Sequence, residues 1–151
     1  PSPFDCYMLI RSIKTLAVRM EKHNSNGMEI AKFLNSHDKI KKVFYPGLET
    51  DPNHQIAKKQ MKGFGGIISA EIDGDIHDTN KFLENIEIFT LAESLGGVES
   101  LIEHPGIMTH ASIDKNIREE LGISDSLVRF SIGIEDVVDI KKAINDALNL
   151  I

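Results

Sequence analysis

The 151-residue chain contains a single cysteine, Cys6. No disulfide can form within it, and a reducing compartment, the cytoplasm by default, is expected. No apolar run approaches the roughly 20 residues that a bilayer helix needs, and no segment has the charged-then-apolar order of a signal peptide. Cations are not in excess either: 17 Lys and Arg stand against 23 Asp and Glu, for a formal charge of -6. That balance argues against nucleic acid or an anionic membrane as the main partner, because both are bound through clustered Lys and Arg. Small molecules and other proteins remain. An initiator Met is also missing, and "PSPFD" opens straight into a helical pattern, so the sequence reads as the middle of a longer protein.

What is present is the composition of a globular domain, 41% hydrophobic and 26% charged, long enough to bury a core. Ser2, Pro3 and Asp5 make a helix start: a hydroxyl cap, a proline in the first turn and a carboxylate near the positive end. Apolar or small residues at Leu9, Ile13, Leu16, Met20, Gly27, Ala31 and Leu34 then follow one helical face, predicting a long helix to about Asn35. The polar patch "HNSNG" at 23 to 27 is where that helix is expected to kink or break, since Asn, Ser and Gly are weak helix formers. Strands are predicted at 41 to 46, 67 to 73, 87 to 93 and 126 to 134, with helices at 54 to 61, 75 to 86 and from Glu135 to the end. Strands separated by helices, without a nucleotide-binding glycine fingerprint, point to an α+β fold: a small sheet with helices on one face.

Two places suggest chemistry. In "SLVRFSIGI", Val128, Phe130, Ile132 and Ile134 alternate with Leu127, Arg129, Ser131 and Gly133, so one face is core and the other presents an arginine between short residues. A guanidinium fork suits a carboxylate; an ordinary exposed strand arginine is the plain alternative. In "LAESLGGVESLIEHPGIMTH" (91 to 110), Glu93 and Ser94 lie where a strand ends, and the glycines let backbone approach a ligand; on pattern alone a tight turn is the better explanation of those glycines. Thr109, His110 and Ser112 add hydroxyls and an imidazole. A triad of Ser94 with His104 or His110 and Asp125 lacks the strained G-x-S-x-G elbow. The spacing of His104 and His110 matches no common metal site. "GFGG" has no P-loop lysine, and Lys14, amid a helix, reads as solvated. No complete catalytic set is visible.

Taken together and in order, "SPFDCYMLIRSIKTLAVRM", "YPGL", "GFGG", "FTLAESLGGVESLIEHP", "MTHAS" and "LGISDSLVRFSIGIED" resemble the C-terminal part of the trans-sulfuration enzymes that use pyridoxal phosphate. Within that family they look most like members that cleave cystathionine at its γ-carbon. The resemblance implies the C-terminal domain of a fold-type I pyridoxal-phosphate enzyme: a long bridging helix over 1–35, then a substrate-side α+β domain over 36–151 with a small, mainly antiparallel sheet. The cofactor-binding large domain, with the lysine that holds pyridoxal phosphate, would lie outside this sequence. Arg129 matches the arginine that clamps a substrate α-carboxylate, and Ser94 a serine beside both the cofactor lysine and that carboxylate. Glu93 matches a glutamate facing the distal amino end of cystathionine, and Thr109 a threonine of the same pocket. The implied partners are an amino acid substrate, the chain's own large domain and further copies in a homotetramer. A cystathionine-forming synthase, or a binding domain that kept the fold and lost the chemistry, are the competing readings. Ser12, Gly106 and Phe130 depart from the Gly, Ala and Leu usual there, which puts packing at the pocket edge in question.

Overall fold

A computed structural model describes residues 1–151. Helix α1 (Pro3–Ile13) begins with a capping box, in which the Ser2 hydroxyl accepts from the Asp5 amide and the Asp5 carboxylate accepts from the Ser2 amide. None of its residues is buried: Phe4, Tyr7, Met8, Leu9, Ile10 and Ile13 are all more than 40% exposed. A turn at Lys14 and Thr15 separates it from α2 (Leu16–Asn35), so the predicted long helix comes in two pieces and breaks before the polar patch rather than in it. The elbow is tied by Ser12, whose carbonyl accepts from the Thr15 hydroxyl at 3.2 Å and from Arg19 Nη2 at 3.0 Å.

The patch stays helical because tertiary partners take up its polar groups. His23 Nδ1 lies 2.7 Å from the Ile132 carbonyl, Asn24 Oδ1 accepts from the Gly65 amide at 2.8 Å, and Asn26 Nδ2 donates to the carbonyls of Gly133 and Glu135. At Gly27 a Cβ would collide with the Gly65 carbonyl, so the missing side chain lets α2 lie directly on the backbone of residues 65 and 66.

The chain continues through β1 (Ile40–Phe44), α3 (His54–Gln60), β2 (Ile67–Ile72), α4 (Ile76–Asn85), β3 (Thr90–Leu91), β4 (Leu101–Glu103), α5 (Lys115–Glu120), β5 (Leu127–Ser131) and α6 (Val137–Leu148). The five strands form one sheet in the order β1-β2-β5-β4-β3, antiparallel throughout except for the parallel β3–β4 pair. One sheet face, with Ile68, Ala70, Ile72, Ile102, Val128 and Phe130, meets Ile30, Ala31 and Leu34 of α2, Phe82 of α4, and Ile140, Ile144, Ala147 and Leu148 of α6 in a single core. Each fully buried Val, Leu, Ile or Phe side chain among them contributes about 1.5–3 kcal/mol of hydrophobic stabilisation, and each alanine less. Phe130 sits edge-on to Phe82 and Phe89, at centroid distances of 6.2 and 5.9 Å, and its ring is accommodated at the centre of this core. The expected α+β architecture, a small mainly antiparallel sheet packed by helices, is the one observed.

The predicted strand at 87 to 93 shrinks to Thr90 and Leu91, because Ile88 takes a left-handed φ of 69°, which no extended ladder tolerates. Strand β4 and helix α5 fall in stretches where no element is predicted, and β4 bears on the site.

Candidate substrate site

Register places the polar groups. Ser69 of β2, Arg129 of β5 and Glu103 of β4 are Cα partners across neighbouring antiparallel strands, so all three emerge on the face opposite the core. Glu103 is almost wholly buried, its side chain 1% exposed, and its Oε2 lies 2.6 Å from Arg129 Nη1. Its other oxygen, Oε1, accepts from the Thr109 hydroxyl at 2.5 Å, and that hydroxyl is 2.8 Å from His110 Nδ1. On its far edge Arg129 donates through Nη2 to the backbone carbonyls of Glu93 and Ser94, at 3.0 and 3.1 Å. The guanidinium therefore bridges strand β4 and the segment that follows β3, and its side chain keeps 19% of its surface open.

All four residues singled out from the sequence meet at this one place. Glu93 and Ser94 are joined to Arg129 through their carbonyls, and their own side chains are exposed. Thr109 reaches Arg129 only through Glu103, since its hydroxyl is committed to that carboxylate. Glu103 itself escaped the sequence reading. It lies in a three-residue strand too short for alternation to register, and the available clue was a carboxylate closing the apolar run Leu101–Ile102.

The loop from Ser94 to Ser100 is strapped over the sheet. The Gly96 amide donates to Ser131 Oγ at 2.9 Å, the Ile134 amide to the Val98 carbonyl at 2.9 Å, and both the amide and hydroxyl of Ser100 donate to the Glu135 carboxylate, at 2.6 and 2.9 Å. Ser100 is fully buried, and its oxygen also accepts from the Gly133 amide. Small residues thus serve two ends here: they fix a loop to β5, and at Gly96, where a Cβ would meet nothing within 4 Å, they leave the outer side clear.

The remaining candidates are engaged elsewhere. His104 is buried, with Nε2 2.8 Å from the Asp125 carbonyl and Nδ1 accepting from the Ile107 amide, so it forms no triad with Ser94. Asp125 binds Lys115 and Arg118, and its carboxyl is held below the usual range, first by the Lys115 hydrogen bond and then by that of Arg118. No group of three His, Cys, Asp or Glu side chains is placed to hold a metal ion, and no helix is long and apolar enough to cross a membrane.

The chain matches, over residues 1–149, the family described as Cys/Met metabolism PLP-dependent enzyme. It is 55% identical over 147 residues to a cystathionine beta-lyase of Coxiella burnetii and 54% identical over 149 residues to a cystathionine gamma-lyase of Dictyostelium discoideum. These alignments take in 97% and 99% of this chain but 38% of each relative, so the chain spans about two fifths of their length. Among solved structures, a cystathionine gamma synthase from Xanthomonas oryzae pv. oryzae, in complex with cystathionine, superposes with a TM-score of 0.92 at 44% identity, over 98% of this chain and 38% of that one.

Proposed function

This chain belongs to the pyridoxal-phosphate-dependent enzymes of cysteine and methionine metabolism, and on that premise we propose that it forms the substrate wall of a cystathionine gamma-lyase. The full protein would cleave L-cystathionine to cysteine, 2-oxobutyrate and ammonia. The observation that carries this reading is the convergence of Arg129 with Glu93 and Ser94, on the segment that follows β3, at 3.0 and 3.1 Å.

The residues present fit an amino acid held on that cofactor. Arg129 is partly open, its buried Nε has no hydrogen-bond partner, and the exposed Ser94 hydroxyl lies on the adjoining segment. When bound, pyridoxal phosphate supplies the electron withdrawal that labilises bonds at the amino acid's α-carbon. Ser94 is the residue of this chain that would stand beside it, and the lysine that holds it belongs to the large domain. Arg129 receives the α-carboxylate and fixes the direction of the Cα–H bond, which is a positioning contribution. Glu93, exposed at the mouth, offers its carboxylate to the ammonium at the far end of cystathionine. Thr109 acts at one remove, by orienting Glu103. With no lysine at the site, residues 1–151 alone would not turn over. The same reading expects a homotetramer in the cytoplasm, which sedimentation and fractionation of the full protein would check.

Cleavage on the other side of the sulfur is a second reading, supported by the 55% identity to a beta-lyase. Incubating the full-length holoenzyme with L-cystathionine separates the two. A γ-cleavage yields the four-carbon 2-oxobutyrate and a β-cleavage the three-carbon pyruvate. Absence of any oxo acid from cofactor-loaded protein supports a binding domain without chemistry. Arg129→Lys should weaken amino acid binding strongly while leaving cofactor loading intact, because a point charge cannot replace a planar fork; unchanged affinity refutes the clamp.

A further inference from the structure

The clamp contains a negative charge for which the proposed reaction has no use. Glu103 faces Arg129 in strand register, its side chain is 1% exposed, and its carboxylate approaches Nη1 to 2.6 Å. Oε2 of Glu103 and Nε of Arg129 make no hydrogen bond, so this approach acts through charge rather than through an aligned donor. The carboxylate cannot turn away, being pinned by its strand and by the Thr109 hydroxyl at 2.5 Å. A ligand carboxylate reaching Arg129 from the open side therefore meets a guanidinium whose charge is already balanced. An arriving anion that brings no positive charge of its own leaves the site net negative, and in a partly desolvated setting two like charges a few ångströms apart repel strongly. A zwitterion offsets that repulsion with its own ammonium.

From this arrangement we propose that Glu103 is a specificity-determining residue: it makes the Arg129 clamp select α-amino acids over plain carboxylic acids of the same shape. The inference rests on the reading of Arg129 as the carboxylate clamp. It also gives direction to the reaction, for an oxo acid product, having lost the ammonium, is held less tightly than the amino acid that entered.

A matched pair of ligands tests it in the full-length holoenzyme. N,N-dimethylglycine and 3-methylbutanoate have the same heavy-atom outline and differ in the cationic nitrogen, and neither can be captured covalently by the cofactor. The wild type should bind the zwitterion more tightly, read as competitive inhibition constants and by calorimetry. Glu103→Gln, which keeps the outline and removes the charge, should shrink that preference by about tenfold, chiefly through tighter 3-methylbutanoate. Glu103→Asp, which keeps the charge, should retain it. An unchanged ratio in E103Q, or equal loss in E103Q and E103D, overturns the inference. Arg129→Lys is the separate control: if it alters neither ligand's affinity the clamp itself fails, whereas if it weakens both and E103Q leaves the ratio alone, the clamp stands and Glu103 is only a structural partner. Should E103Q not fold, equal affinity of the wild type for the two ligands is by itself sufficient refutation.

Discussion

Arg118 occupies the space in which a side chain at Gly106 would stand. A Cβ built on Gly106 runs into Nη1 of Arg118, whose residue is only 7% exposed and whose Nη2 donates to Asp125 Oδ1 at 3.1 Å. The glycine thus admits a buried guanidinium beside His104. Gly106→Ala should cost about 1–3 kcal/mol, as overpacking does, and lower the melting temperature; an unchanged value would show that Arg118 swings aside freely.

Asp125 ties α5 to the approach of β5 through Lys115 at 2.5 Å and Arg118 at 3.1 Å. Its carboxyl is depressed in the folded chain, by the Lys115 hydrogen bond first. A depressed folded value means that this stabilisation is present above the unfolded pKa, about 3.9, and disappears as pH falls through the folded one. Asp125→Asn should therefore lower the melting temperature at pH 7, and the gap from wild type should close as the pH falls well below 4. A gap that persists in acid would mean that the carboxylate's charge is not what stabilises this corner.

Removing Arg129 strands its partner. Arg129→Met leaves the Glu103 carboxylate, 1% exposed, without a counter-ion, at a cost of about 3–5 kcal/mol in urea unfolding. Replacing both, as Arg129→Met with Glu103→Leu, should recover most of that loss, since a well-packed apolar pair often matches a buried ion pair. A double variant as unstable as the single one would put the damage in packing instead.

The strap over the sheet depends on Ser100. Ser100→Ala takes the hydroxyl from Glu135 and from the Gly133 amide, leaving buried groups unsatisfied at about 1–3 kcal/mol. Because the 94–100 loop hangs on this point, proteolysis within it should quicken more than global unfolding does; cleavage that merely tracks global stability would argue against a local anchor.

How much of this was legible in the chain differs from residue to residue. Arg129 announced itself, because the alternation of Val128 and Phe130 with their neighbours forces it to the opposite face, and the capping box at Ser2 and Asp5 is a purely local device. Long-range partners were not legible. Nothing near His23, Asn24 or Asn26 in sequence shows that residues 65, 132, 133 and 135 wait to satisfy them, so the patch looked like a weak point although it is a docking face. The helix breaks instead at Lys14 and Thr15, where propensity gives little warning. Glu103 was hidden for the same reason: its meaning comes from the register with Arg129, which the pairing of strands β4 and β5 creates.

Helix α1 shows water Phe4, Tyr7, Leu9, Ile10 and Ile13, each at 60% or more of its surface, and hides nothing. An oily cylinder held out on a two-residue elbow adheres to whatever cover is nearest. In a preparation of residues 1–151 that cover is a neighbouring copy. Light scattering should climb with concentration, a version beginning at Leu16 should stay clear, and crowding of this kind is the first thing to suspect when the piece behaves badly in the tube.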